Sequence, residues 1–258
     1  MLKLSCLVCA AVLLPGAALA ASPFDGTWKV SAKHIQVSKK PSVYVITDSS
    51  FTCSSCAPPL TVKADGADHK VTGFAFDTAA ATVTPTSVSL VLKLNGKPFA
   101  TRKTALSSDG KTATSENTFY GGSQPDTTKS LWKQVVAPAA GENPLSGSWV
   151  QSEIVSTTDA GMTQTLGMTD DGFTWSSNGM SYDAKFDGKK YLQANDPTNT
   201  MVTVKKLGPS TIVESDYEKG KLNNVIHMTV SADGKTLRLS DRDVKTGRTT
   251  GYLYEKQP

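Results

Sequence analysis

The chain of 258 residues is short of the material from which catalytic and metal sites are usually built. It has three histidines, four cysteines and 7% aromatic residues. No Gly-x-Ser-x-Gly, Gly-x4-Gly-Lys or His-Glu-x-x-His stretch occurs, and no dinucleotide fingerprint follows a strand. Nucleophile, phosphate-cradle and zinc-hydrolase chemistry therefore find no motif, and the expectation is a protein that is not an enzyme and uses no cofactor. Charge of one sign is also lacking: 27 Lys+Arg face 23 Asp+Glu, a net of +4. Basic residues are not clustered with aromatics, so no nucleic-acid partner is expected, and the pair Lys39-Lys40 reads as a solvated loop. Helical spacing is not sustained over three turns anywhere; what little helix forms is expected near the start of a module, for instance in residues 30–38.

Beyond the N-terminal segment there is no long apolar run. Lys3, the apolar stretch from Leu7 to Leu14 and the small-residue site Ala18-Leu19-Ala20 fit a cleaved signal peptide over residues 1–20. Such a run is too short to span a bilayer, which takes about 20 apolar residues. The expected location is periplasmic or secreted, with no transmembrane segment. Cleavage removes Cys6 and Cys9 and leaves Cys53 and Cys56, an even pair that in an oxidising compartment is most simply a disulfide. A redox-active pair is the weaker reading. Ala57-Pro58-Pro59 and an alternating run follow it, with no helix to stabilise a thiolate. A metal site is weaker still, since the two histidines of that half, His34 and His69, are not at ligand spacing from the cysteines.

What the chain does have is a repeat. Gly26-Thr27-Trp28 returns as Gly147-Ser148-Trp149, 121 residues later, and Phe51-Thr52 returns as Phe173-Thr174 at 122. Ser108-Asp109-Gly110-Lys111-Thr112 faces Ala232-Asp233-Gly234-Lys235-Thr236 at 124. A period above 100 is too long for a solenoid or propeller blade, whose units run to roughly 50 residues. Each copy reads as a module: residues 21–135 and 145–258, joined by a Pro/Ala/Gly-containing linker at 136–144. A single large barrel made from both halves is the competing arrangement.

Within each copy, alternation of period two dominates. Val88, Leu90, Leu92 and Leu94 alternate with Ser89, Val91 and Lys93; Ile226, Met228 and Val230 alternate with His227 and Thr229, which puts His227 on the solvent side. Asn95-Gly96, Asp109-Gly110, Asp187-Gly188 and Asp233-Gly234 supply hairpin turns between such runs. The fold class that follows is all-β: two tandem antiparallel up-and-down meanders, each curled into a barrel because closure removes exposed edges. Asp241 and Asp243 read as a solvated edge.

A Gly-x-Trp opening before a β meander resembles the lipocalin or calycin superfamily. More closely, Asp187-Gly188-Lys189-Lys190-Tyr191, Ser231-Ala232-Asp233-Gly234-Lys235-Thr236 and Tyr254-Glu255-Lys256-Gln257 resemble uncharacterised exported bacterial proteins described as lipocalin-like. Copy one resembles the kind with Cys-x-x-Cys ahead of Pro, but ends in Leu131-Trp132-Lys133 where that kind has a tyrosine strand. The resemblance implies that Trp28 and Trp149 close barrel floors, and that a small apolar or amphipathic ligand is held in a barrel. Phe173, Trp175, Tyr182, Phe186 and Tyr191 are the candidate lining in copy two, with Phe51, Phe74 and Phe76 in copy one. The same aromatics also suit a filled barrel, in which case the protein is a non-catalytic cell-envelope structural or interaction module.

Overall fold

The computed structural model describes residues 22–258; the expected signal peptide lies outside the described residues. The first half carries β1 (Gly26–Gln36), β2 (Ser42–Thr47), β3 (Ser50–Cys53), β4 (Leu60–Lys63) and β5 (His69–Lys70). It continues through β6 (Thr78–Val83), β7 (Ser87–Leu94), β8 (Lys97–Leu106), β9 (Thr112–Phe119) and β10 (Asp126–Val136). The second half opens with β11 (Gly147–Thr157), the one-turn helix α1 (Asp159–Met162), β12 (Thr163–Met168), β13 (Gly172–Ser177) and β14 (Met180–Lys185). It ends with β15 (Tyr191–Leu192), β16 (Met201–Gly208), β17 (Thr211–Glu218), β18 (Lys221–Val230), β19 (Thr236–Asp243) and β20 (Thr249–Lys256).

These strands form two ten-stranded antiparallel sheets, each curled into a nearly closed barrel. The alternation reads directly as burial: on β17, Ile212 and Glu214 point inward between Thr211, Val213 and Ser215. Hairpin twist is supplied where two consecutive residues take positive φ, as at Asn95-Gly96 (52° and 75°) and Lys219-Gly220 (49° and 79°). In one barrel the seam is drawn together by Gly66 N–H donating to Ala81 O at 2.9 Å. In the other, Ser181 and Ala194 exchange both backbone bonds. The segment at residues 30–38 forms most of the last part of β1 rather than a helix, because β20 is there to pair with it; the described helix is α1, four residues long.

The strand orders are β4-β3-β2-β11-β10-β9-β8-β7-β6-β5 and β14-β13-β12-β1-β20-β19-β18-β17-β16-β15. Each is a simple meander except at one position. The opening strand of each copy sits in the sheet of the other: β11 lies between β2 and β10, and β1 lies between β12 and β20. The barrel containing β2–β10 and β11 is called the first barrel here, and that containing β12–β20 and β1 the second. The exchanged strands place their tryptophans accordingly. Trp28 is fully buried in the second barrel beside Phe24 and Leu237, and its indole N–H donates to Phe24 O at 2.8 Å. Trp149 is buried in the first barrel beside Ile46 and Leu145, with its N–H on Leu145 O at 3.0 Å. A glycine precedes each by two positions for a steric reason that is sharpest at Gly147, where φ is +94° and a Cβ would lie 2.2 Å from Val136 O.

β1 enters the second barrel at the tryptophan end and leaves at the opposite rim, and residues 37–41 carry the chain to β2 of the first barrel. β11 makes the mirror-image passage, returning through α1 to β12. The two barrels therefore touch through their rims. Lys219 Nζ donates to Phe74 O at 3.1 Å, and Asn178 Nδ2 donates to Gln124 O at 2.9 Å while its Oδ1 accepts from the Gln124 N–H at 3.1 Å.

Candidate functional site: the rims of the two barrels

The interior of the first barrel is apolar near Trp149 and turns polar at one residue. Arg102, on β8, projects inward between Ala100 and Thr104. Its guanidinium lies over the rings of Trp132 (5.1 Å to the centroid) and Tyr44 (5.5 Å). Nε donates to Ser115 Oγ at 3.1 Å and Nη1 to Tyr44 Oη at 3.1 Å. A guanidinium has five N–H donors, so three remain beyond these two bonds. Among the described residues no carboxylate makes a salt bridge with it.

Below Arg102 the barrel is filled, with a void of about 20 Å³ that admits little more than one water. Above it, toward the rim, a cavity of about 380 Å³ opens. Its walls include Phe74, Phe76, Phe119, Leu92 and the Cys53–Cys56 pair, and its polar groups are Arg102, Asn117 and Asp126 with Tyr44, Thr101, Thr118 and Thr128. Phe74 and Phe76 stack at 4.9 Å with an interplanar angle of 14°. Asp126 is occupied by its neighbours, accepting from Thr158 Oγ1 at 2.6 Å. Cys53 and Cys56 form a disulfide with a Cα–Cα distance of 5.5 Å, and β3 and the turn after it carry the bond to the cavity wall.

The second barrel has the same strands and a different interior. Leu90 and Leu92 of β7 correspond, at the repeat spacing of 124, to Glu214 and Asp216 of β17, and Asn117 of β9 corresponds to Asp241 of β19. Glu214 is buried and accepts a 2.6 Å bond from Tyr182 Oη. Burial raises its carboxyl to about 6, against the opposing effect of the Tyr182 bond. Burial and then the neighbouring Glu214 charge push Asp216 up to about 9, which keeps it protonated at neutral pH. Asp216 Oδ1 is buried without a hydrogen-bond partner. Burial also raises Asp241, although Asn224 Nδ2 donates to it at 2.6 Å. Asp241 is thus no solvated edge: it belongs to the inward row of β19, with Leu237 and Leu239 below it. Desolvation likewise pushes Tyr252 up to about 12.

The aromatics of copy two named from sequence lie in or against this second core. Phe173 is fully buried and meets Phe24 edge-on at 5.4 Å. Trp175 stacks on Tyr182 at 5.7 Å and donates its N–H to Gln164 Oε1 at 2.9 Å. Phe186 and Tyr191 are half-buried against the same cluster, with Tyr191 Oη on Asp187 at 3.0 Å. Of the copy-one aromatics, Phe74 and Phe76 wall the cavity, and Phe51 lies at its base.

Arg102 escaped sequence reasoning because an arginine between Thr101 and Lys103 looks like any solvated strand residue. The signal was its parity, which puts it on the face of Thr104 and Ala100. Glu214 and Asp216 had a clearer signal, since they replace leucines at repeat-equivalent positions.

Among the described residues no group of three or more His, Cys, Asp or Glu side chains is placed to hold a metal ion. No helix among them is long and apolar enough to cross a membrane. Comparison with protein-family models, curated proteins and solved structures finds no match to this chain.

Proposed function

We propose that the protein is an exported, non-catalytic binder of a small amphipathic molecule, held in the rim cavity of the first barrel with an anionic head on Arg102. The carrying observation is a guanidinium at the base of an apolar-walled cavity with three N–H donors to spare and, among the described residues, no salt bridge to a carboxylate. Arg102 is half-buried with donors left over, and a ligand carboxylate, sulfonate or phosphate matches the guanidinium fork in two parallel bonds. Phe74, Phe76, Phe119 and Leu92 would cover a short alkyl or aromatic tail. A cavity of this size suits a ligand at the small end of the usual 300–1,000 Å³ range. For the second barrel, whose core is packed by Trp28, Phe173 and Tyr182, the filled-barrel reading is favoured: it serves as scaffold and surface.

Calorimetric titration of the mature protein with decanoate and with decanol tests this. Decanoate is expected to bind at one site at least tenfold more tightly than decanol, and Arg102→Leu is expected to remove that preference while leaving the weak binding of decanol. Equal affinity for acid and alcohol in the unaltered protein, or an unchanged preference in Arg102→Leu, would contradict the proposal.

A further inference from the structure

The strand exchange builds a second concave feature, remote from the rim cavity's lining. Where residues 37–41 leave β1 and cross to the first barrel, they stand off the outer face of β18, β19 and β20 and leave an open groove of about 1090 Å³. Five basic side chains line it: His34, Lys39, Lys40, His227 and Arg238. No aspartate or glutamate is among its lining residues, and Glu255 Oε1 lies 3.9 Å from His34 Nδ1. The floor is regular. His227 faces Ser240 and Thr229 faces Arg238 across the β18–β19 ladder, so their outward side chains form two adjacent rows. The overhanging wall is tied down by Arg248, which donates to Lys40 O at 2.5 Å and Pro41 O at 2.6 Å, and by Lys40 Nζ on Thr246 O at 3.1 Å. Lys39 and Arg238 are exposed, so their charge faces solvent in the groove, and His227 is exposed beside them.

We infer that this groove binds an acidic polysaccharide, a sugar chain bearing carboxylate or phosphate groups along its length. Lys39, Lys40 and Arg238 fix the sign of the partner through the field of a cleft lined by one kind of charge. The uncharged lining fixes its class. Ser38, Thr229, Ser240 and Thr249 are hydroxyls and Gln36 is an amide, the donors and acceptors that pair with sugar hydroxyls. Single-stranded nucleic acid needs aromatic platforms for its bases, and the aromatic in the lining, Tyr252, is engaged in the second core. An extended acidic peptide adds to a free strand edge, whereas β18, β19 and β20 are each paired on both sides. An anionic membrane surface would call for exposed apolar anchors beside the cations. The apolar lining here is Val37, Leu239 and Leu253, all half-buried, and the small exposed ring of Pro41.

The experiment is a binding titration of the full mature chain with polygalacturonate and with its fully methyl-esterified, uncharged form. Tight binding of the charged polymer alone is expected, weakening steeply with salt. Lys39→Glu with Arg238→Glu is expected to weaken it at least tenfold with an unchanged melting temperature and unchanged decanoate binding. Arg238→Gln, which cannot repel the polymer, is expected to fall between. The inference is overturned if the unaltered protein binds both polymers equally, if the charge-reversed variant binds as well as the unaltered one, or if oligothymidylate or anionic vesicles bind more tightly than polygalacturonate. Because decanoate reads the rim cavity separately, failure here and failure of the ligand proposal are distinguishable.

Discussion

The two barrels use corresponding strands in corresponding order, and each buries a tryptophan carried in from the other half of the chain. They differ in the interior layer beyond it. In the first, Leu90 and Leu92 leave the interior apolar and Arg102 supplies one cation stacked on two aromatic rings. In the second, Glu214, Asp216 and Asp241 crowd carboxyls into the same layer around Tyr182. A scaffold of this kind tolerates either sign of charge provided hydrogen bonds or a shared proton relieve its burial. The cation keeps donors to spare beside an open cavity, whereas Glu214 and Asp241 accept from Tyr182 and Asn224 and burial raises all three carboxyls. One duplicated fold thus yields one barrel with an open cavity at its rim and one with carboxyls buried in its interior.

The largest effect expected on this comparison is at the two buried, exchanged tryptophans. Trp28→Ala empties a fully buried site and is expected to cost about 3–5 kcal/mol. Because β1 is exchanged, the damage should appear as faster amide hydrogen exchange in β12–β20, while β2–β10 hold their protection. Trp149→Ala should do the reverse. Loosening of β2–β10 by Trp28→Ala would show that the opening strands are not exchanged.

Next in size is pH. Asp216 and Glu214 have folded-state values raised above their unfolded ones, to about 9 and about 6. The folded state therefore holds these protons more tightly. The stability this confers is full below about pH 4 and declines as the unfolded chain, but not the folded one, ionises. The second barrel is expected to melt at least about 5 °C lower at pH 8 than at pH 5, on the scale of a few degrees per kcal/mol. Glu214→Gln with Asp216→Asn should flatten that dependence. A barrel whose melting is level from pH 5 to pH 8 would mean the two carboxyls are not buried together.

The smallest effect concerns the disulfide, present in the first barrel and replaced by Trp175 and Asn178 in the second. Cys53→Ser with Cys56→Ser opens a very short loop and is expected to cost about 2 kcal/mol. The change should be confined to β3, β4 and the cavity wall, with decanoate binding weakened less than by Arg102→Leu. Complete unfolding of the first barrel would give the disulfide a larger part than its loop length allows.

Alternation in residues 88–94 and 226–230, with Asn-Gly and Asp-Gly turns, was enough to read the sheet, the meander and the doubling of the chain. The exchange was not legible, because Gly26-Thr27-Trp28 and Gly147-Ser148-Trp149 are near-identical and either fits either barrel. Which one is taken depends on the crossing of residues 37–41 and 158–162, a choice local patterns do not encode. The same ambiguity hid the basic groove, since Lys39-Lys40 and His227 come together only once β1 lies beside β20. For the candidate site, the aromatics of the wall were visible as residues, but alternation alone cannot tell a packed interior from a hollow one. Phe173 and Tyr182 fill their barrel, and Phe74 and Phe76 face a cavity.

The central claim, that the first barrel receives a ligand and the second is filled, is tested most directly by following backbone amides by NMR while decanoate is added. The account predicts shifts concentrated at Phe74, Phe76, Arg102, Asn117 and Phe119, with β12–β14 and β16–β19 unmoved. Shifts centred on Trp175, Tyr182 and Glu214, with the first barrel silent, would contradict it.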